Sequence, residues 1–226
     1  MLILKIILGV AINIAIFAAV LFVPAGTVSW HRGWVFLGIL FCGCAASIFC
    51  LRGRQDLLRE RMKGPIQKGQ PLADKILTPL FVASFFGMIA FTAADVFHWH
   101  LLGSPGRALS MLGFAMFAAA WVVEYLALRE NAFASSVVRH QEERGQTLVD
   151  TGVYSIVRHP MYSGALPLLI GIPLGLGSYA GVAVALAPCL MLAGRVIIEE
   201  GMLRRELAGY EDYTRRVRYR LIPYVW

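Results

Sequence analysis

Between Met161 and Gly194 the chain runs for 34 residues without a charged side chain. As one helix it would reach about 51 Å, too long for a single crossing of a ~30 Å hydrocarbon core. It is somewhat short for two full crossings. Gly171, Pro173, Gly175 and Gly177 lie in its middle, where they break a continuous helix. The run therefore reads as a hairpin of two short helices turning near Gly175–Ser178.

Four further apolar runs precede it: Ile6–Val23, Gly33–Leu51, Ile76–Ala94 with Pro79 near its start, and Ala108–Leu128, which Glu124 interrupts. Each has the roughly 20 apolar residues that a spanning helix needs. Hydrophobic residues make up 58% of the chain and charged ones 15%, with a mean hydropathy of +0.65. A soluble domain carries about 45–50% and about 25%, so a soluble globular enzyme is excluded. A disordered chain is excluded too, because disorder needs low hydrophobicity and high charge. The expectation is an all-α integral membrane protein of about six transmembrane segments, the last two a short helical hairpin. Residues 1–130 would hold the first four, and 131–226 a polar loop, the hairpin and a basic tail. The first run has no small-residue cleavage site before a polar domain and reads as a span rather than a signal peptide.

The net charge of +7 follows the topology. With six spans, 19 of the 21 Lys and Arg residues, Lys5 among them, fall on one side; only Arg32 and Arg107 fall on the other. By the positive-inside rule both termini are cytoplasmic. The basic balance is thus an orientation signal and implies no nucleic-acid partner. Trp30, Trp34 and Trp99 fall at the opposite face, as interfacial anchors do. Cys42, Cys44, Cys50 and Cys189 lie in apolar runs without metal or redox spacing, so free thiols and no structural metal are expected.

The linker at 52–75 reads as a short helix and a loop, with seven cations that suit anionic headgroups. The polar stretch 131–162 ends in Arg158-His159-Pro160, followed by Tyr162. Proline suits a first helical turn. Arg158 and His159 would then stand at a helix N-terminus, where free N–H groups and the dipole favour an anion. Across the hairpin, Arg195 and Glu199 are four residues apart and share a helix face. Antiparallel legs would bring His159 and Tyr162 near Arg195 and Glu199, forming a pocket suited to a zwitterionic ligand. The basic tail with Tyr210, Tyr213, Arg216 and Arg220 would lie on the membrane surface as an amphipathic helix. No Rossmann fingerprint, P-loop, H-E-x-x-H or G-x-S-x-G is present.

Taken together, Gly152-x-Tyr154-x-x-x-Arg158-His159-Pro160-x-Tyr162-x-Gly164, the apolar hairpin, Glu199-Glu200-x-x-Leu203 and Tyr210-x-x-Tyr213-x-x-Arg216-Val-x-Arg220-x-Ile-Pro223 resemble the isoprenylcysteine carboxyl methyltransferase family. The resemblance covers roughly Asn131 to Pro223. Phospholipid N-methyltransferases and sterol-type NADPH-dependent reductases look similar here and remain alternatives, as does a non-catalytic membrane protein. The resemblance implies S-adenosylmethionine bound between the last helices and a cytoplasmic cap. The residues implied at the cofactor are Gln141, Gln146, Thr147, Leu148, Val149, Tyr154, His159, Pro160, Met161, Tyr162 and Glu199, with Arg158 and Glu200 of the same motifs beside them. Gln146 stands where eukaryotic members commonly have His. Arg195 and Glu199 are implied as the catalytic pair. Arg195 would face a lipophilic or lipidated acceptor, and Glu199 the cofactor's amine.

Overall fold

The computed structural model describes residues 2–226, with side chains from residue 7 onward. The Lys5 side chain, part of the charge count above, lies outside those described. Among the described residues the chain is helical and has no strand. Five helical stretches are long and apolar enough to cross a membrane: Ile7–Ala25, His31–Leu51, Leu72–Trp99, Arg107–Glu130 and Tyr179–Glu206. They belong to α1 (Leu2–Ala25), α2 (His31–Leu51), α4 (Leu72–Ala94, extended by a π turn at Asp95–Trp99), α5 (Arg107–Glu130), and α7 (Tyr179–Val184) with α8 (Leu186–Glu206). The amphipathic α3 (Gln55–Arg61) occupies the first cationic linker, and α9 (Tyr210–Arg216) the tail.

The hairpin turns at Gly177–Ser178, as the glycine pattern predicts. Its first leg, α6 (Pro160–Leu176), has only 17 residues. Its second leg is not short: Tyr179–Glu206 spans 28 residues. The helix continues past the first charge, because Arg195, Glu199 and Glu200 find partners that keep it in register. Gly177 adopts φ +110°, a backbone conformation that residues with a side chain rarely take. Ser178 caps α7 by accepting the Gly181 N–H at 2.7 Å, and donates to Asp95 at 2.6 Å.

The helices belong to two compact units that interleave along the chain. One comprises the chain through Cys50, Ser84–Ala119 and Pro167–Ala187; the other comprises Leu51–Ala83, Ala120–Leu166 and Pro188–Trp226. Within the first, α5 and α6 meet backbone to backbone. A Cβ on Gly113 would lie 2.4 Å from the Gly175 nitrogen, and one on Gly171 would lie 2.5 Å from the Gly113 oxygen. Helices in lipid associate through such small-residue seams because lipid supplies no hydrophobic drive between them. Phe36 stacks on Phe117 at 5.2 Å in the same unit.

The second unit carries the polar chemistry. One of its apolar clusters joins Leu51, Leu57, Leu128 and Ala134; another joins Val138, Met202, Leu203, Tyr210, Tyr213 and Val217. The second cluster corrects the expectation for the tail. Helix α9 is seven residues long, and its Tyr210 and Tyr213 are buried rather than spread on a surface. The Tyr213 hydroxyl donates to the Tyr154 carbonyl at 2.7 Å. Beyond α9, the carbonyls of Tyr219 and Arg220 accept the N–H groups of Arg158 and His159, each at 3.0 Å.

Candidate functional site

A cavity of about 580 Å³ lies within the second unit. That size suits a small organic ligand, for which pockets run about 300–1,000 Å³. Helix α8 supplies one wall. Leu192, Arg195, Glu199 and Met202 recur at helical spacing and all line the cavity. Thr78, Phe81 and Val82 line it from α4, and Met161, Tyr162 and Ala165 from α6. The loop after α5 and the segment Gln146–Val149 close the polar end.

Of the residues expected at a ligand, Gln146, Thr147, Leu148, Val149, Tyr154, Arg158, His159, Pro160, Met161, Tyr162, Arg195 and Glu199 line this cavity. Gln141 and Glu200 do not. Gln141 is buried and works within its loop: its side-chain nitrogen donates to the Phe133 carbonyl at 2.5 Å, and its own N–H donates to the Gln146 side chain at 2.8 Å. Glu200 faces away from the cavity. It accepts from Arg158 Nε at 2.6 Å and Arg220 Nε at 2.9 Å, with His159 Nε2 at 3.3 Å.

The anion-binding helix start expected at Arg158-His159-Pro160 is therefore already filled. The two N–H groups are taken by the tail carbonyls, and the guanidinium by Glu200 and the carbonyls of Val217 and Arg218. The motif closes the fold around the cavity and does not present a free cation to it.

The same holds for every other cation on the wall. Arg61 meets Glu124 at 3.2 Å, Lys63 meets Glu60 at 2.5 Å, and Arg139 meets Glu60 and Glu143, both at 2.7 Å. Arg195 meets Asp74 at 2.9 Å rather than Glu199. Burial works to raise the Glu60 pKa, but Lys63 and Arg139 outweigh it and hold the carboxyl below its ordinary range. Glu199 differs. It accepts from the Tyr162 hydroxyl at 2.8 Å and makes no ion pair among the described residues. It is the one charge on the cavity wall that a cationic ligand would complete.

Burial drives the Tyr154 phenol pKa well above its ordinary value, and Glu199 and Glu124 add to the rise. The Tyr210 and Tyr213 phenols are raised by burial as well. Among the described residues, Thr78 Oγ1, Ser136 Oγ, the Tyr210 hydroxyl, Arg61 Nη1 and Arg139 Nε belong to cavity-lining residues and are buried without a hydrogen-bond partner. Buried polar groups are rarely left so. An apolar cavity edged by an unpaired carboxylate and unmet hydroxyls suits S-adenosylmethionine, which carries an ammonium, a sulfonium, ribose hydroxyls and a flat base.

Sequence reasoning passed over Asp74, Glu60 and Arg139, and noticed Glu124 only as an interruption. The signal for Glu124 was there: an isolated acid in a membrane run is costly and generally has a partner or a task.

The stretch 107–208, from the start of α5 to just past α8, matches the family model of phospholipid methyltransferases. These enzymes share a membrane methyltransferase superfamily with the isoprenylcysteine carboxyl methyltransferases. No curated protein matches the chain. The similarity covers somewhat less than half of the sequence, includes Arg158 to Glu200, and supports a membrane methyltransferase.

Proposed function

We propose that this chain is an integral-membrane methyltransferase that uses S-adenosylmethionine and acts on a lipophilic acceptor. The observation that carries this reading is Glu199: a carboxylate on a cavity wall with a tyrosine hydroxyl beside it and no cation. When bound, the cofactor supplies a methyl group on a positively charged sulfur. Glu199 would pair with the ammonium of its methionine end, oriented by Tyr162. Leu148, Val149, Met202 and Leu203 supply apolar surface for the base. Residues of α4, α6 and α8 on the cavity wall would shield the acceptor's nucleophile from bulk water, and alignment is then the main task.

For the acceptor, the first reading is a carboxylate of the isoprenylcysteine kind. It is ionised near neutral pH, its reference pKa being about 4, and needs no base. Arg195 would orient one of its oxygens. The Asp74–Arg195 pair favours a second reading, in which the acceptor is an amine, because among the described residues each arginine and lysine on the wall already has a carboxylate that balances its charge.

Isothermal titration of the purified protein with S-adenosylmethionine and, separately, with NADPH tests the proposal. Uptake of S-adenosylmethionine alone is expected. Uptake of NADPH alone would move the chain to the sterol-type reductases. Methyl transfer to a prenylated cysteine, set against transfer to a phospholipid with a primary-amine headgroup, then decides the acceptor.

A further inference from the structure

Asp74 stands in the first turn of α4 and is fully buried. A lone carboxylate in such a place demands hydrogen bonds, and it has three. Oδ1 accepts from Arg195 Nε at 2.9 Å. Oδ2 accepts from the Gln70 side-chain nitrogen at 2.7 Å and from the Val138 N–H at 2.9 Å. Arg195 makes a further bond, from Nη2 to the Ser136 carbonyl at 3.0 Å, and lies over the Tyr162 ring at 5.7 Å. Two edges of the planar guanidinium are thus fixed, one by a side chain and one by the backbone. Ser136 and Val137 belong to the cavity wall, and Val138 follows them directly. One carboxylate therefore ties α4, α8 and the loop between them to the position of Arg195.

We propose that Asp74 is a positioning residue that acts through Arg195, so that Arg195 meets the acceptor as an oriented donor with Nη1 and not as a free charge. The role rests on the methyltransferase reading above. Its chemistry is that of any guanidinium held from behind. An arginine with free rotamers spends binding energy on being ordered, whereas one whose Nε and Nη2 are engaged holds its remaining N–H groups in a fixed plane. The pair also limits how Arg195 can grip a carboxylate. With Nε on Asp74, the side-on fork of Nε and a terminal nitrogen is spent, and the acceptor is left with the terminal N–H groups.

The test uses Asp74→Asn, Asp74→Glu, Arg195→Gln and the double variant Asp74→Asn/Arg195→Gln, full length in nanodiscs, each checked by thermal unfolding. Three quantities are read: S-adenosylmethionine affinity by titration, and kcat and KM for methyl transfer to a prenylated cysteine or, if that is refused, an amine phospholipid. Asp74→Asn should lower kcat/KM about ten- to hundred-fold, the fold-change of one charged hydrogen bond. Cofactor affinity should stay within about twofold, and Asp74→Glu should recover part of the loss. In the Arg195→Gln background, Asp74→Asn should cost nothing further in kcat/KM. Equal losses in both backgrounds, or a matching loss of cofactor affinity, would overturn the positioning role while leaving the methyltransferase reading in place. Failure of the unaltered protein to take up S-adenosylmethionine would overturn both.

Discussion

Arg158 Nε donates to Glu200 Oε1 at 2.6 Å, and each side chain is only 4% exposed. The two residues stand at the start of α6 and deep in α8, and Arg220 from the tail completes the carboxylate at 2.9 Å. Removing one member of a buried ion pair strands the other, at a cost of about 3–5 kcal/mol. Glu200→Gln should therefore lower the thermal unfolding temperature sharply. It should also release residues 217–221 to fast hydrogen exchange, since Arg158 holds the carbonyls of Val217 and Arg218. A variant of ordinary stability with a protected tail would show that the pair is dispensable.

Glu199 should behave oppositely to its neighbour. It makes no ion pair among the described residues and lines the cavity, so Glu199→Gln removes a charge without stranding a partner. Folding stability should hold. S-adenosylmethionine affinity should fall by about 1.5–3 kcal/mol, the scale of a charged hydrogen bond. Calorimetric titration of a folded Glu199→Gln protein checks this, and unchanged affinity counts against a cofactor role.

The tyrosine cluster predicts alkaline instability. Tyr154, Tyr210 and Tyr213 all have pKa values raised above 10, chiefly by burial. A raised folded-state value means that stability is fully present below the unfolded value and is lost as pH rises beyond it. Below about pH 10 both states keep neutral phenols; above it only the unfolded chain ionises, at about 1.4 kcal/mol per phenol per pH unit. Cofactor-free protein should hold a level melting temperature from pH 7 to 9 and lose it steeply above 10. The Tyr210 hydroxyl has no partner, so Tyr210→Phe should flatten that fall without a cost at neutral pH.

The charge asymmetry of 19 to 2 predicts an orientation. Reporter fusions after residues 65, 140 and 226 should all read cytoplasmic. An external reading at 226 would remove the six-segment topology.

The spans were legible because an uncharged run of some 20 residues admits few other structures, and the hairpin turn because Gly177 and Ser178 carry their own turn chemistry. Helix placement made His159, Tyr162, Arg195 and Glu199 legible on the cavity wall, whereas Gln146–Val149 were named only through the family resemblance. What stayed hidden were the long-range partners. Asp74 and Arg195 are separated by 121 positions, and nothing local to either points to the other. Glu199 and Glu200 look equivalent on paper. The 100° turn between successive residues of a helix sends one to the cavity and its neighbour to the tail. The motif at Arg158 read as an anion site because its claimants, the carbonyls at 217–220, lie in a stretch with no pattern of its own.

The bonds from Arg158 and His159 to the tail carbonyls also set an order of assembly. The apolar helices can enter a bilayer one after another as the ribosome delivers them. Arg158 cannot settle its guanidinium until residues 217 and 218 exist, and the amides of Arg158 and His159 wait for 219 and 220. Until the tail folds back, the α6–α8 hairpin therefore carries an arginine and a glutamate whose surroundings are unfinished. The site is completed by a stretch of chain that follows every spanning helix.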